Sequence, residues 1–170
     1  STTPSDRIEM LCNNATVSKW PIDNNSIDLI VCDNVLEHIE DPERLFSEIA
    51  RVLKNGGFLC IRTANRWSYI ALGSTLIPNK YHSSVISVVQ NGRKEEDVFP
   101  TVYKCNSVRR LKRIMKNTGF ECVVYGYEAE PTYLAFSQLA YFFGVLHQRF
   151  APRFLKPAIF AFGRINKNIA

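Results

Sequence analysis

The sequence predicts an α/β domain built on a parallel sheet, and three observations predict it. Residues 27–32 (IDLIVC) and 58–63 (FLCIRT) are near-continuous apolar runs, the composition of strands buried on both faces. Between them Leu45, Phe46, Ile49, Val52 and Leu53 recur at helical spacing and form one apolar stripe. The crossover is short, so the two strands should lie parallel with a right-handed connection. A strand–helix–strand unit of this kind argues a sheet with helices on both faces.

The remaining elements are taken in chain order. Residues 7–12 (RIEMLC) read as a short strand. Asp41 is placed to cap the free N–H groups of the first helix, and Pro42 suits its first position. Arg44 and Glu48 lie four apart on its polar side. Asn55-Gly56-Gly57 should stop that helix, because glycine accepts the left-handed cap conformation. From 65 to 103 the pattern weakens to loops and short helices over the C-terminal ends of the strands. Residues 107–117 read as a helix with Val108, Leu111, Ile114 and Met115 apolar, ending near Gly119. Residues 120–127 (FECVVYGY) read as a strand, and 132–146 as a strongly apolar helix, with His147 after it read as structural or surface. Pro152 and Pro157 interrupt the chain beyond that helix, and 158–165 (AIFAFGRI) is a last strand or a last helix, with strand favoured.

Composition narrows the function classes. The 170 residues fit one domain, and 46% hydrophobic with 22% charged residues excludes global disorder. The formal net charge of +5 is unevenly placed. No acid follows Glu130, whereas Arg149, Arg153, Lys156, Arg164 and Lys167 supply the whole excess. The segment 131–170 is therefore an apolar, basic C-terminal part of the single domain 1–170. It reads as core plus a lid, as a membrane-interface element, or as a surface for nucleic acid. Its apolar run 134–146 is too short to span a bilayer of about 30 Å. None of the five cysteines forms a C-x-x-C pair, so no metal site is expected, and buried thiols of this kind suit a reducing, cytoplasmic location.

One ordered set of motifs is more specific. Trp20-Pro21-Ile22-Asp23 and 26–32 are followed by Asn34-Val35-Leu36-Glu37-His38-Ile39, Asp41-Pro42, 48–54 (EIARVLK), Gly56-Gly57 and Thr63-Ala64-Asn65. This series resembles the class I S-adenosylmethionine-dependent methyltransferases of the methyltransferase type 11 group, closely over 7–65 and loosely to 130. The resemblance implies a Rossmann-like methyltransferase sheet in which 7–12, 27–32 and 58–63 are the third, fourth and fifth strands. The first two strands, with their glycine-rich turn and ribose-binding acid, are then expected to be missing, as in an N-terminally truncated fragment. Weak or no cofactor binding is accordingly expected from residues 1–170 alone.

The resemblance also implies a site. Asn14 and Ala15 occupy the position that meets the adenine edge, and Asn34 with Asp33, Val35 and Leu36 would line the cofactor cleft outside the strand ends. His38 is a candidate general base, because its ordinary pKa lies near working pH, and Glu37 a candidate for orienting it or, as the resemblance to some related O-methyltransferases implies, for binding a metal. Thr63, Asn65, Arg66 and Tyr69, with Tyr81 and His82, are candidates for the acceptor side. The implied activity is methyl transfer to a small-molecule or lipid-linked acceptor, at oxygen. Alignment in a dry cleft would carry the rate, so no nucleophilic triad is required. A lipid-linked acceptor would suit peripheral contact with the inner face of a membrane through 131–170, and nucleic acid is not an expected partner. The competing functions are a non-catalytic, truncated module that binds a protein or membrane partner, and half of a nucleotide-binding oxidoreductase. The V-L-E-H and L-K-x-G-G runs argue against the last.

Overall fold

The computed structural model describes residues 19–76, 101–128 and 134–168. The element order is β1 (Ile27–Asp33), a 3₁₀ turn (Leu36–His38), α1 (Pro42–Val52), β2 (Leu53–Ala64) and α2 (Tyr69–Leu76). It continues with α3 (Val108–Asn117), β3 (Phe120–Tyr127), α4 (Gln138–Phe150), a second 3₁₀ turn (Arg153–Leu155) and β4 (Ala158–Ile165). The expected strand at 7–12 lies outside the described residues.

The four strands form one mixed sheet in the order β1-β2-β4-β3. β1 and β2 run parallel, with Cys32 opposite Ile61 and Asp33 opposite Arg62. β4 is antiparallel to both β2 and β3 and joins them. The favoured strand at 158–165 is thus confirmed, and it sits inside the sheet rather than at an edge. The ends of β1 and β2 share one rim with the start of β4 and the end of β3, since Ala64 faces Ala158 and Tyr127 faces Ala158 from the other side.

α1 forms as its residues dictate. Asp41 accepts from the Arg44 N–H at 3.0 Å, and Pro42 opens the first turn. Leu45, Phe46, Ile49, Val52 and Leu53 are all buried. α3 is capped by Ser107 and contributes Leu111, Ile114 and Met115 to the same core. Cys32, Leu59, Ile61, Phe120, Ile159, Ala161 and Ile165 meet these helices from the sheet.

Several expectations are corrected. Asn55-Gly56-Gly57 does not cap α1: the helix ends at Val52, Leu53 is already extended, and the glycines lie within β2. Gly56 has φ +83, and a Cβ on Gly57 would come within 2.9 Å of the Lys54 carbonyl and 3.2 Å of the Asp28 carbonyl. The pair therefore kinks β2 against β1, at the register shift between Ile27 and Leu29. Nor is β1 buried on both faces. Leu29 and Val31 are 54% and 65% exposed, and Phe58, Phe162 and Val123 continue that open face. α1 and α3 pack on one face only, and no described helix covers the other. Glu48, expected opposite Arg44, is instead committed to Arg51. The last long helix begins at Gln138 rather than 132, because Ser137 is the residue whose side chain caps it.

Glu48 and Arg51 have a larger role than a surface pair. The Glu48 carboxylate accepts from the Trp20 backbone N–H at 2.7 Å and from Arg51 at 2.6 and 2.9 Å. The Arg51 guanidinium also donates to the carbonyls of Trp20 and Ile22 and to the Asn24 side chain. Together they bind the Trp20–Pro21–Ile22 segment to α1. The Arg51 hydrogen bonds hold the Glu48 carboxyl below the usual carboxylate range, against a partial offset from burial. Its contribution is present above the ordinary glutamate value of about 4.3 and is lost as pH falls through the lower folded value. Glu48→Gln should cost about 1–3 kcal/mol at neutral pH, measured by urea unfolding. The gap to wild type should close on acidification below about pH 4.

Candidate functional site

The C-terminal rim of β1 and β2 gathers the residues singled out by the motifs. It is held by a buried hydrogen-bond chain. Asn106 Nδ2 donates to Thr63 Oγ1 at 2.7 Å, and Thr63 Oγ1 donates to Glu37 Oε2 at 2.7 Å. Asn106 Nδ2 also donates to the Ala64 carbonyl. The Glu37 backbone carbonyl accepts from the N–H groups of Val102 and Tyr103. Glu37, Thr63 and Asn106 are 7%, 1% and 1% exposed, so this chain is sealed from solvent. It joins the turn after β1, the end of β2 and the approach to α3.

The expected site residues sort by where this scaffold puts them. Leu36 is fully buried in the core. Glu37 and Thr63 are committed to one another, and their side chains serve the scaffold. Asn65 is fully buried as well. Its Nδ2 donates to the Phe154 and Lys156 carbonyls at 2.7 and 2.8 Å, and its Oδ1 accepts from the Trp67 N–H. His38 is half-buried beside the Glu37 anchor. Asp33, Asn34 and Val35 are exposed at the end of β1. Asn34 has φ 51, a left-handed conformation that asparagine tolerates, while its N–H continues the ladder to the Arg62 carbonyl. Asn14, Ala15, Tyr81 and His82 lie outside the described residues.

Asp33 faces Arg62 across the strands in a two-point pair at 2.5 and 2.6 Å. That hydrogen bond, with the opposite charge, pushes the Arg62 guanidinium above its ordinary range. Both side chains are about half exposed, so the pair orients the carboxylate more than it stabilises the fold. A carboxylate has about four acceptor sites, so Asp33 keeps capacity for a ligand. Asp33, Asn34 and the part-exposed Val35 thus offer an acceptor, a polar amide and an apolar edge at a strand end. This donor set fits the hydroxyls and flat base of an adenosyl group.

Further along the same rim lies a cluster that sequence reasoning missed. The Glu128 side chain is 2% exposed. Its Oε1 accepts from Tyr69 OH at 3.1 Å, its Oε2 lies 3.0 Å from His147 Nδ1, and Lys156 Nζ stands 3.8 Å away. The Tyr69 and His147 rings meet edge to face at 4.9 Å. His147 is structural, as the sequence suggests, but it belongs to this buried cluster. The only sequence signal for the cluster is that Glu128 is among the last acids before an all-basic tail.

Burial pushes the Cys32 thiol up to about 11 and the Cys105 thiol up to about 12. Among the described residues no three His, Cys, Asp or Glu side chains gather as a metal site. A hollow of about 250 Å³ beside Asn55, Gly56 and Arg164 lies at the opposite rim, away from these motifs.

Comparison with known proteins bears on the N-terminal segment and on the fold. The family model described as a methyltransferase domain matches residues 2–61. A probable S-adenosylmethionine-dependent methyltransferase of Mycobacterium tuberculosis is 34% identical over 77 residues, covering 45% of this chain and 27% of that protein. The fold is similar to that of an S-adenosylmethionine-dependent methyltransferase from Thermotoga maritima, with a TM-score of 0.56 and 19% identity over 91% of this chain and 62% of that one. The N-terminal third of the chain is thus similar to a methyltransferase domain, and its fold is similar to that of S-adenosylmethionine-dependent methyltransferases. A ubiquinone biosynthesis O-methyltransferase of Coxiella burnetii is also 34% identical, over 61 residues, 34% of this chain and 26% of that protein. The matched segment spans about a quarter of the length of these curated relatives.

The rim depends on the buried chain through Thr63. Thr63→Val keeps the shape but leaves the Glu37 oxygen without its donor. The expected loss is about 1–3 kcal/mol in urea unfolding. An unchanged midpoint would remove Glu37 from its anchoring role.

Proposed function

We propose that the protein transfers a methyl group from S-adenosylmethionine to a small-molecule or lipid-linked acceptor, at oxygen. The observation that carries this reading is the exposed Asp33-Asn34-Val35 turn at the carboxyl end of a parallel pair of strands, in a chain whose N-terminal segment matches a methyltransferase domain. The Coxiella burnetii relative, named as an O-methyltransferase, supports oxygen as the atom.

On this proposal Asp33 and Asn34 hold the polar part of the adenosyl group and Val35 packs on its flat face, with Asn14 and Ala15 at the adenine edge. The cofactor supplies an activated methyl on a sulfonium centre. His38 is the candidate base for the acceptor proton, next to the Glu37 anchor that fixes its backbone. Thr63 holds the turn from within and Asn65 holds the Phe154–Lys156 segment, leaving Arg66, Tyr69, Tyr81 and His82 as the acceptor-side side chains. Arg66 is exposed, its guanidinium 5.2 Å from the Trp67 ring centre. The exposed apolar stripe of α4, at the same rim, favours the lipid-linked form of the acceptor and peripheral contact with a membrane.

Calorimetric titration of the full protein with S-adenosylhomocysteine tests the reading. Micromolar-class binding, about −8 kcal/mol, is expected, weakened at least about ten-fold by Asp33→Ala. The absence of a binding heat, or an affinity indifferent to Asp33→Ala, would contradict it.

A further inference from the structure

We propose that α4 and the turn after it dock the protein on an anionic membrane surface. The helix is inverted relative to the usual packing. Leu139, Phe142, Phe143, Leu146 and Phe150 fall within a stripe about 100° wide on α4. A surface helix ordinarily turns such a stripe to the core. Here Leu139, Phe142, Phe143 and Phe150 are 67%, 56%, 60% and 72% exposed. Phe136 before the helix and Phe154 after it add 66% and 57%. The buried residue of α4 is Gly144, on the opposite side.

Specific polar contacts hold the helix this way round. His147 Nδ1 lies 3.0 Å from the buried Glu128 carboxylate, and Gln148 Nε2 donates to the Glu128 carbonyl. Lys156 Nζ donates to the last-turn carbonyls of His147 and Gln148. The polar side of α4 is therefore its inner side. Rolling the stripe inward would break every one of these contacts.

The charge of this segment selects the occupant. From 131 to 170 there is no acid. Arg149 and Arg153 stand exposed beside the stripe, with the Arg149 guanidinium 5.7 Å from the Phe150 ring centre. A second copy of the chain would bring these arginines against their own equivalents, whereas an anionic bilayer complements them. The open face of the sheet is different: its apolar residues are mixed with Asp33 and Glu121 as well as Arg62 and Arg164. Thirteen residues of α4 extend about 20 Å, short of the roughly 30 Å hydrocarbon layer, so the helix lies on the membrane rather than across it. No described helix is long and apolar enough to cross.

Glu128 links this surface to the acceptor rim through Tyr69 OH. Docking would set that rim at the bilayer, where a lipid-linked acceptor is presented. That consequence rests on the methyl-transfer reading, but docking itself does not, so the cofactor titration and the vesicle experiment fail independently.

Flotation of the full protein with phosphatidylcholine vesicles containing 30 mol% phosphatidylglycerol tests the proposal. Wild type should float with these vesicles and at least ten-fold less with phosphatidylcholine alone or in 1 M salt. Phe142→Ser with Phe150→Ser should abolish flotation, and Arg149→Glu with Arg153→Glu should reduce it at least ten-fold. Phe58→Ser, on the open sheet face, should leave it unchanged. In a separate reporter, Phe150→Trp should show a blue-shifted emission quenched by brominated lipid. Wild type left in the vesicle-free fraction while folded by circular dichroism overturns the proposal. So does flotation indifferent to the double serine variant, an unquenched signal from the Phe150→Trp reporter, or a salt-independent dimer that the double serine variant dissolves.

Discussion

The architecture of the rim depends on one buried hydrogen-bond chain, running from the Asn106 amide through the Thr63 hydroxyl to the Glu37 carboxyl. Each link belongs to a different segment: the approach to α3, the end of β2, and the 3₁₀ turn after β1. Backbone pairing aligns β1 with β2 but says nothing about where the chain goes after leaving the sheet. The buried chain supplies that information. Because all three groups are sealed from water, losing a partner leaves a polar atom without compensation. The turn after β1 is thereby held in a defined place, and Asp33, Asn34 and Val35 are presented on its outer side.

This changes the meaning of the motif. In Val35-Leu36-Glu37-His38 the acid invites a catalytic reading, yet it is a structural fastening, and Leu36 beside it is core. The Glu48–Arg51 pair plays a parallel part, tying Trp20 and Ile22 to α1. Gly56 and Gly57 let β2 bend close against Asp28 and Lys54. Much of what makes the sequence recognisable therefore maintains the sheet and its rim.

The local pattern was legible where one face of an element decides its burial. The stripe of α1, its Asp41 cap, the apolar stripe of α3 and the parallel pairing of β1 with β2 all followed from spacing and end residues. The bare second face of the sheet was not legible, because an apolar run such as LIVC looks the same whether both faces are covered or one. The orientation of α4 was hidden for a related reason. Periodicity reveals an apolar stripe but not the side to which it turns, and that side is decided by Glu128, well before the helix begins. The Glu37–Thr63–Asn106 chain spans distant positions and leaves no periodic trace.

On the methyl-transfer proposal two functions share one rim: a cofactor side at the end of β1 and an acceptor side from Asn65 to the Glu128 cluster. The most direct measurement of the first is an experimental structure of the full protein with S-adenosylhomocysteine. The adenosyl group is expected against Asp33, Asn34 and Val35, with Glu37 still hydrogen-bonded to Thr63. An adenosyl group seated elsewhere, such as the hollow beside Asn55 and Arg164 at the opposite rim, would contradict that assignment.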